Sequence, residues 1–111
     1  MDLVEEIHKL TKKFPSDERY QLVSQLRRAS KSIVANIAEG FSRATHPDKS
    51  HKYTIARGET TEVQGHLLVA VRIKILKPDE ATKAIDLAVE IGKMLTGLIR
   101  TYTKSTFIKP S

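Results

Sequence analysis

Four prolines, at positions 15, 47, 78 and 110, set the strongest limit on what this chain can fold into. Proline breaks a helix interior but is tolerated in its first turn. None of the four falls inside a periodic run, so the spacing predicts four helices joined by three short loops. Start signals accompany each loop. Ser16 precedes Asp17 and Glu18 as an N-cap followed by first-turn acids, Pro47-Asp48 opens the next segment, and Pro78-Asp79-Glu80 opens the last. The apolar residues agree. In the last segment Ala81, Ala84, Ala88, Ile91, Leu95, Leu98 and Tyr102 keep the three-four spacing of one helix face, with Ile85, Gly92 and Ile99 widening the stripe. Leu22, Leu26, Ala29, Ile33, Ile37 and Phe41 do so in the second segment, beside Val23 and Val34. Tyr53, Ala56, Thr60, Val63, Leu67 and Ala70 do so in the third. The first segment offers only Leu3, Val4, Ile7 and Leu10 before Phe14, and no strand-like alternation competes.

These patterns predict an all-α fold, an antiparallel up-down-up-down four-helix bundle spanning residues 1–103, followed by a basic flexible tail at 104–111. Helices two to four have room for roughly 25 residues each, about 37 Å, and the first for about half that. The mismatch leaves one end of the bundle uncovered or covered by another subunit.

Composition narrows the chemistry. At 111 residues there is room for one domain. There is no cysteine, which removes disulfides, thiolate metal sites and cysteine nucleophiles. No run reaches the ~18 apolar residues of a bilayer span, and the opening Met1-Asp2-Leu3-Val4-Glu5-Glu6 is acidic where a secretory leader is basic; the expected location is the cytoplasm. A net charge of +6 suits phosphate backbones or acidic protein surfaces.

Three features do not fit a plain bundle. Gly40, Gly58, Gly65, Gly92 and Gly97 sit inside helical segments, each costing roughly 1 kcal/mol against alanine, and their expected reason is close helix–helix approach. A polar stripe on the second helix, Gln25, Arg28, Ser32, Asn36, Glu39 and Arg43, holds the period of a single face. It reads as a structural network or subunit interface, joined from the third helix by Arg57 and Glu62. If helices two and three turn back near Thr45, Arg28 meets Glu62 as an ion pair, Ser32 lies near Gly58, and Glu39 near His51. Lastly, basic residues cluster. Arg27, Lys31, Lys49, Lys52, Arg100 and Lys104 are the expected nucleic-acid contacts; of Tyr53, Tyr102 and Phe107, which alone could stack on bases there, the first two are better explained as core, so base stacking has weak support.

Catalytic and metal chemistry find little footing. Glu5 and His8 form one Glu-x-x-His pair, but His46, His51 and His66 supply no second, so no metal and no cofactor is expected. No phosphate-binding glycine loop or nucleophile elbow is present, and no catalytic residue is nominated. An enzyme using Glu39 or Glu62 as a base would require a raised carboxylate pKa in a cleft.

The run Phe14-Pro15-x-x-Glu18-x-Tyr20-x-Leu22-x-x-Gln25-Leu26-Arg27-Arg28-Ala29-x-x-Ser32-Ile33-x-x-Asn36-Ile37-Ala38-Glu39-Gly40-x-x-Arg43 resembles the signature of the four-helix-bundle family encoded in intervening sequences of bacterial 23S ribosomal RNA genes. Ile55-Ala56-Arg57-Gly58-x-x-x-Glu62 and Ile91-Gly92-Lys93-Met94-Leu95-x-Gly97-Leu98-Ile99 extend the resemblance over most of the chain. It implies an antiparallel bundle assembling as a ring, typically a homopentamer. It also implies kinship with accessory variability determinant proteins of diversity-generating retroelements, which are basic pentamers that bind nucleic acid and a reverse transcriptase. The chain departs from the family pattern at Glu59 and Gly65, where serine and threonine are usual, and its first helix is about two turns shorter. The expected function is a non-enzymatic homo-oligomer binding structured RNA or DNA; the rival is a protein-interaction adaptor docking a reverse transcriptase or another acidic partner.

Overall fold

The structure is a computed structural model that describes the backbone of residues 1–107 and the side chains of that range except 18–20 and 104–107. Four helices account for it: α1 (Asp2–Thr11), α2 (Ser24–Ser42), α3 (His46–Arg72) and α4 (Pro78–Phe107), with no strand among the described residues. They pack into a bundle 58 × 21 × 19 Å. α3 lies against α2 and α4, and α1 packs against α2 and α4.

The turns follow the sequence signals. Thr45 caps α3 by accepting the Asp48 amide at 3.2 Å, and Pro47 occupies the first turn, where its missing N–H is not needed. At the start of α4 the Glu80 carboxylate accepts the Lys77 amide at 2.8 Å, closing the turn from the other side. Between them Lys74 takes a left-handed conformation (φ 67°) as the chain leaves α3, while the Ile75 and Leu76 amides both return to the Ala70 carbonyl. The entry to α2 differs from expectation. Ser16–Glu18 forms a 3₁₀ turn and Arg19–Val23 a π turn before the regular helix begins at Ser24.

The core splits along the bundle axis. Where α1 is present, Leu3, Ile7, Leu10 and Phe14 close over Leu26, Ala29 and Ile33 of α2, Val63, Leu67 and Ala70 of α3, and Ala81, Ala84 and Ala88 of α4. The alanines let α4 approach closely, and the larger side chains fill the space opposite. Beyond α1 a second cluster is built on Tyr53, Ala56 and Leu95, with Leu98, Ile99 and Tyr102 half-buried around it and Ile37 and Ile91 bridging the two. The α3 seam is buried throughout, as its spacing predicts.

Two expectations need correction. Phe41 is not a core residue of this chain: it is 65% exposed, and Gly40 takes the inward position instead. A Cβ at Gly40 would stand 2.5 Å from Cε1 of Tyr53, so the ring fills the space a side chain would need. Gly92 is also closely approached, by the Thr60 hydroxyl, but Gly58, Gly65 and Gly97 have nothing within 4 Å of a built Cβ. Close helix approach within the chain explains two of the five glycines, because the other three lie on outer faces. The α4 helix runs from Pro78 to Phe107. The rest of the expected tail, 108–111, and the side chain of Lys104 lie outside the described residues.

Candidate nucleic-acid interface and its polar framework

The polar stripe of α2 divides into two groups of contacts. Arg28 reaches across to α3, where it pairs with both Glu59 (3.1 Å) and Glu62, while Nε and Nη2 also donate to Gln25 Oε1. The Arg28–Glu62 pair expected from the sequence is therefore formed, and Glu59, one of the departures from the family pattern, supplies a second carboxylate to the same guanidinium. His66 Nε2 lies 3.4 Å from Glu62. Nearer the α2–α3 turn, Glu39 pairs with Lys52 at 2.8 Å and approaches Arg43 at 4.0 Å. Its partner is Lys52 rather than the neighbouring His51, which is exposed. Between the groups the Asn36 amide donates to the carbonyl (2.9 Å) and hydroxyl (3.1 Å) of Ser32, one turn back on the same helix. Arg57 reaches α4, 3.5 Å from the Thr96 hydroxyl.

These pairs set the ionisation of the carboxylates. Glu62 is held below the ordinary carboxylate range by hydrogen bonding with Glu59, then with Arg28 and His66, against partial burial. Glu39 is held low by its hydrogen bond and charge interaction with Lys52. A general base working near neutrality needs the opposite shift, so neither group matches that role. No group of three or more histidines and carboxylates among the described residues is placed to hold a metal ion.

Of the six residues expected to touch nucleic acid, the five whose side chains are described do not form one patch; the side chain of Lys104 lies outside the described residues. Arg27 and Lys31 lie on α2 beside α1. Lys49 and Lys52 follow the α2–α3 turn, and Arg100 lies on the exposed side of the last turns of α4, near where Ser50 meets Thr103. From Arg27 to Phe41 along α2 is about 21 Å. Two of the six are already engaged inside the chain: the Lys49 ammonium bonds to the carbonyls of Gly40 (3.2 Å) and Phe41 (2.9 Å), closing the end of α2, and Lys52 holds Glu39. Arg27 is half-buried, with Nε donating to the Thr11 hydroxyl at 2.9 Å. Lys31 and Arg100 are exposed.

Sequence reading missed the other half of the Arg27–Lys31 surface. His8 of α1 and Lys12, which caps that helix, stand one turn apart, as Arg27 and Lys31 do on α2, and the contact of Arg27 with Thr11 joins the two helices at this point. His8 is disfavoured from taking a proton, first by partial burial and then by the charges of Arg27, Lys31 and Lys12. The signal was available. Residues 7–16 and 19–38 contain no aspartate or glutamate, a run of basic and neutral residues interrupted only by Asp17 and Glu18.

Three aromatic residues, Phe41, Tyr53 and Tyr102, gather at the opposite end. Tyr53 is fully buried, edge-on to Phe41 at 6.1 Å and 5.9 Å from Tyr102, with Lys49 5.8 Å above the Tyr102 ring. Tyr53 and Tyr102 thus serve the packing and not base stacking; Phe107 lies outside the described side chains. No helix among the described residues is long and apolar enough to cross a membrane.

Paired carboxylates, charge carried on helix faces and an all-helical core among the described residues define a small helical bundle. The family model for the 23S rRNA-intervening sequence protein matches residues 1–97, and the chain belongs to that family. Among solved structures it is similar to a protein of unknown function from the S23 ribosomal protein family of Bacteroides thetaiotaomicron, at 24% identity over 89% of this chain and 93% of that one, with a TM-score of 0.82. That likeness concerns the fold. No curated protein matches the sequence.

Proposed function

We propose that the protein is a non-enzymatic homo-oligomer, its helices running up-down-up-down and its copies closing as a pentameric ring, that binds structured nucleic acid, RNA foremost, through basic surface. The observation that carries this reading is the α1–α2 seam, where Lys12 and Lys31 have no ion-pair partner among the described residues and α2 carries no acid before Glu39, while Glu6, Glu39, Glu59, Glu62 and Glu80 are paired with other cations. Five copies of a +6 chain carry about +30, enough to make phosphate binding strongly salt dependent. Self-association is supported by large apolar side chains left outside: Phe41 (65% exposed), Met94 (61%) and Leu68 (58%).

The same basic surface suits a second reading, an adaptor that docks an acidic protein such as a polymerase, and the exposed apolar groups would add to such a contact. Fluorescence anisotropy of a labelled structured RNA, titrated at several salt concentrations with the mass followed by light scattering, separates the two. Submicromolar binding by an oligomer, falling steeply with log salt, supports the RNA reading. No binding at low salt removes it and leaves the adaptor.

A further inference from the structure

We propose that His8, Lys12, Arg27 and Lys31 form an oxyanion site in the seam between α1 and α2, shaped to take one phosphodiester of an RNA backbone. The inference rests on the nucleic-acid reading for its ligand but stands on local geometry. Arg27 is fixed, because its Nε is tied to Thr11, whose own hydroxyl donates to the Ile7 carbonyl at 2.7 Å. The terminal nitrogens of Arg27 have no partner among the described residues, and neither do the ammonium groups of Lys12 and Lys31. A guanidinium held by one edge and open at the other is the arrangement that binds a phosphate with two parallel hydrogen bonds.

Among the described residues no carboxylate forms an ion pair with these groups. α2 carries no acid before Glu39; on α1 the nearest is Glu5, one turn before His8, and the connection to α2 carries Asp17 and Glu18. From α4, Glu80 is engaged with Lys13 (3.6 Å), and Lys83 with the buried Glu6 (3.7 Å). Arg27, Lys31 and Lys12 all act on His8, and like charges gathered about one ring carry a repulsion that an incoming phosphate relieves.

His8 gives the site a proton linkage. In the free protein the three cations and partial burial disfavour the imidazolium. A bound phosphate reverses the local field, so His8 takes up a proton as the ligand docks, and affinity rises as pH falls through the imidazole range.

The test reads His8 directly. The pKa of the His8 ring is followed by NMR in chloride and in sulfate at matched ionic strength, and RNA affinity is measured at pH 7.5 and 5.5 for the full chain, His8→Gln, the double variant Lys12→Gln/Lys31→Gln, and Lys9→Gln. Sulfate serves as a tetrahedral anion that does not itself titrate in this range. Sulfate is expected to raise the His8 pKa. Wild-type affinity for RNA is expected to gain about three- to tenfold over that pH interval beyond the gain in His8→Gln. The double variant should lose both effects, and Lys9→Gln, which removes a charge from α1 outside the cluster, should keep both. If RNA binds but His8 is insensitive to sulfate and its removal leaves the pH dependence intact, the site is overturned while the nucleic-acid reading stands. If sulfate raises the His8 pKa but no RNA binds, the oxyanion site stands without RNA as its ligand. Neither response overturns both.

Discussion

The two ends of the bundle solve the same packing problem with different means. Where α1 is present, four helices enclose aliphatic side chains and Phe14 is 2% exposed. Beyond α1 only α2, α3 and α4 remain, and aromatic rings replace the missing helix: Tyr53 packs over Gly40, Tyr102 lies beside it, and Phe41 leans on Tyr53 with its outer face bare. The second solution is incomplete. The Tyr53 hydroxyl is buried with no hydrogen-bond partner among the described residues, a condition that costs about 1–3 kcal/mol relative to a paired group. One end of the molecule is thus closed by its own chain, and the other has apolar surface and an unpaired donor left over.

The largest expected effect sets the two ends against each other. Phe14→Ala removes a ring surrounded on all sides and should cost about 3–5 kcal/mol in unfolding free energy. Phe41→Ala removes a ring already mostly in water and should cost under about 1 kcal/mol in the isolated chain. Urea unfolding of both variants checks the contrast. A loss at Phe41 approaching that at Phe14, together with a fall in mass by light scattering, would mean that another copy covers this end.

Tyr53→Phe sharpens the comparison further. Deleting a buried hydroxyl that has no partner should raise stability by about 1 kcal/mol, while the ring still fills the space above Gly40. Thermal melts at two protein concentrations decide it. A loss of stability seen only at high concentration would show that the hydroxyl is hydrogen-bonded in an assembly.

Much of this architecture was legible in the residues, for reasons that differ by position. The α3 seam from Tyr53 to Ala70 was readable because it is buried at every step, so periodicity and burial coincide. The Arg28–Glu62 pair was readable because two helices joined at a short turn fix which residues face each other. Phe41 was misread because the apolar period continues one step past the point where Gly40 turns the inside of α2 over to Tyr53. Only the ring contact, not the spacing, distinguishes the two. The α1–α2 cluster was half visible. Arg27 and Lys31 stand out on one helix, but His8 and Lys12 become part of the same surface only once Arg27 meets Thr11, and a contact between residues this far apart in sequence has no local signature.

The smallest effect concerns the ion-paired seam. Glu62 has a folded pKa below its unfolded value, so the folded state binds fewer protons there. Its contribution is full above the ordinary glutamate range near 4.5 and is lost as pH falls through the depressed folded value. Glu39 and Glu80 are shifted in the same direction, so the total acid loss belongs to several groups. Arg28→Gln isolates the share of one. Because Arg28 is half exposed, solvent screening limits that share to about 0.5 kcal/mol at pH 7. The difference between variant and wild type should shrink toward zero once the pH has fallen below the depressed folded pKa of Glu62, where Glu62 is protonated in both. A gap that persists undiminished at that pH would show that Arg28 stabilises the seam through the packing of its stem across α2 and α3 and not through its charge.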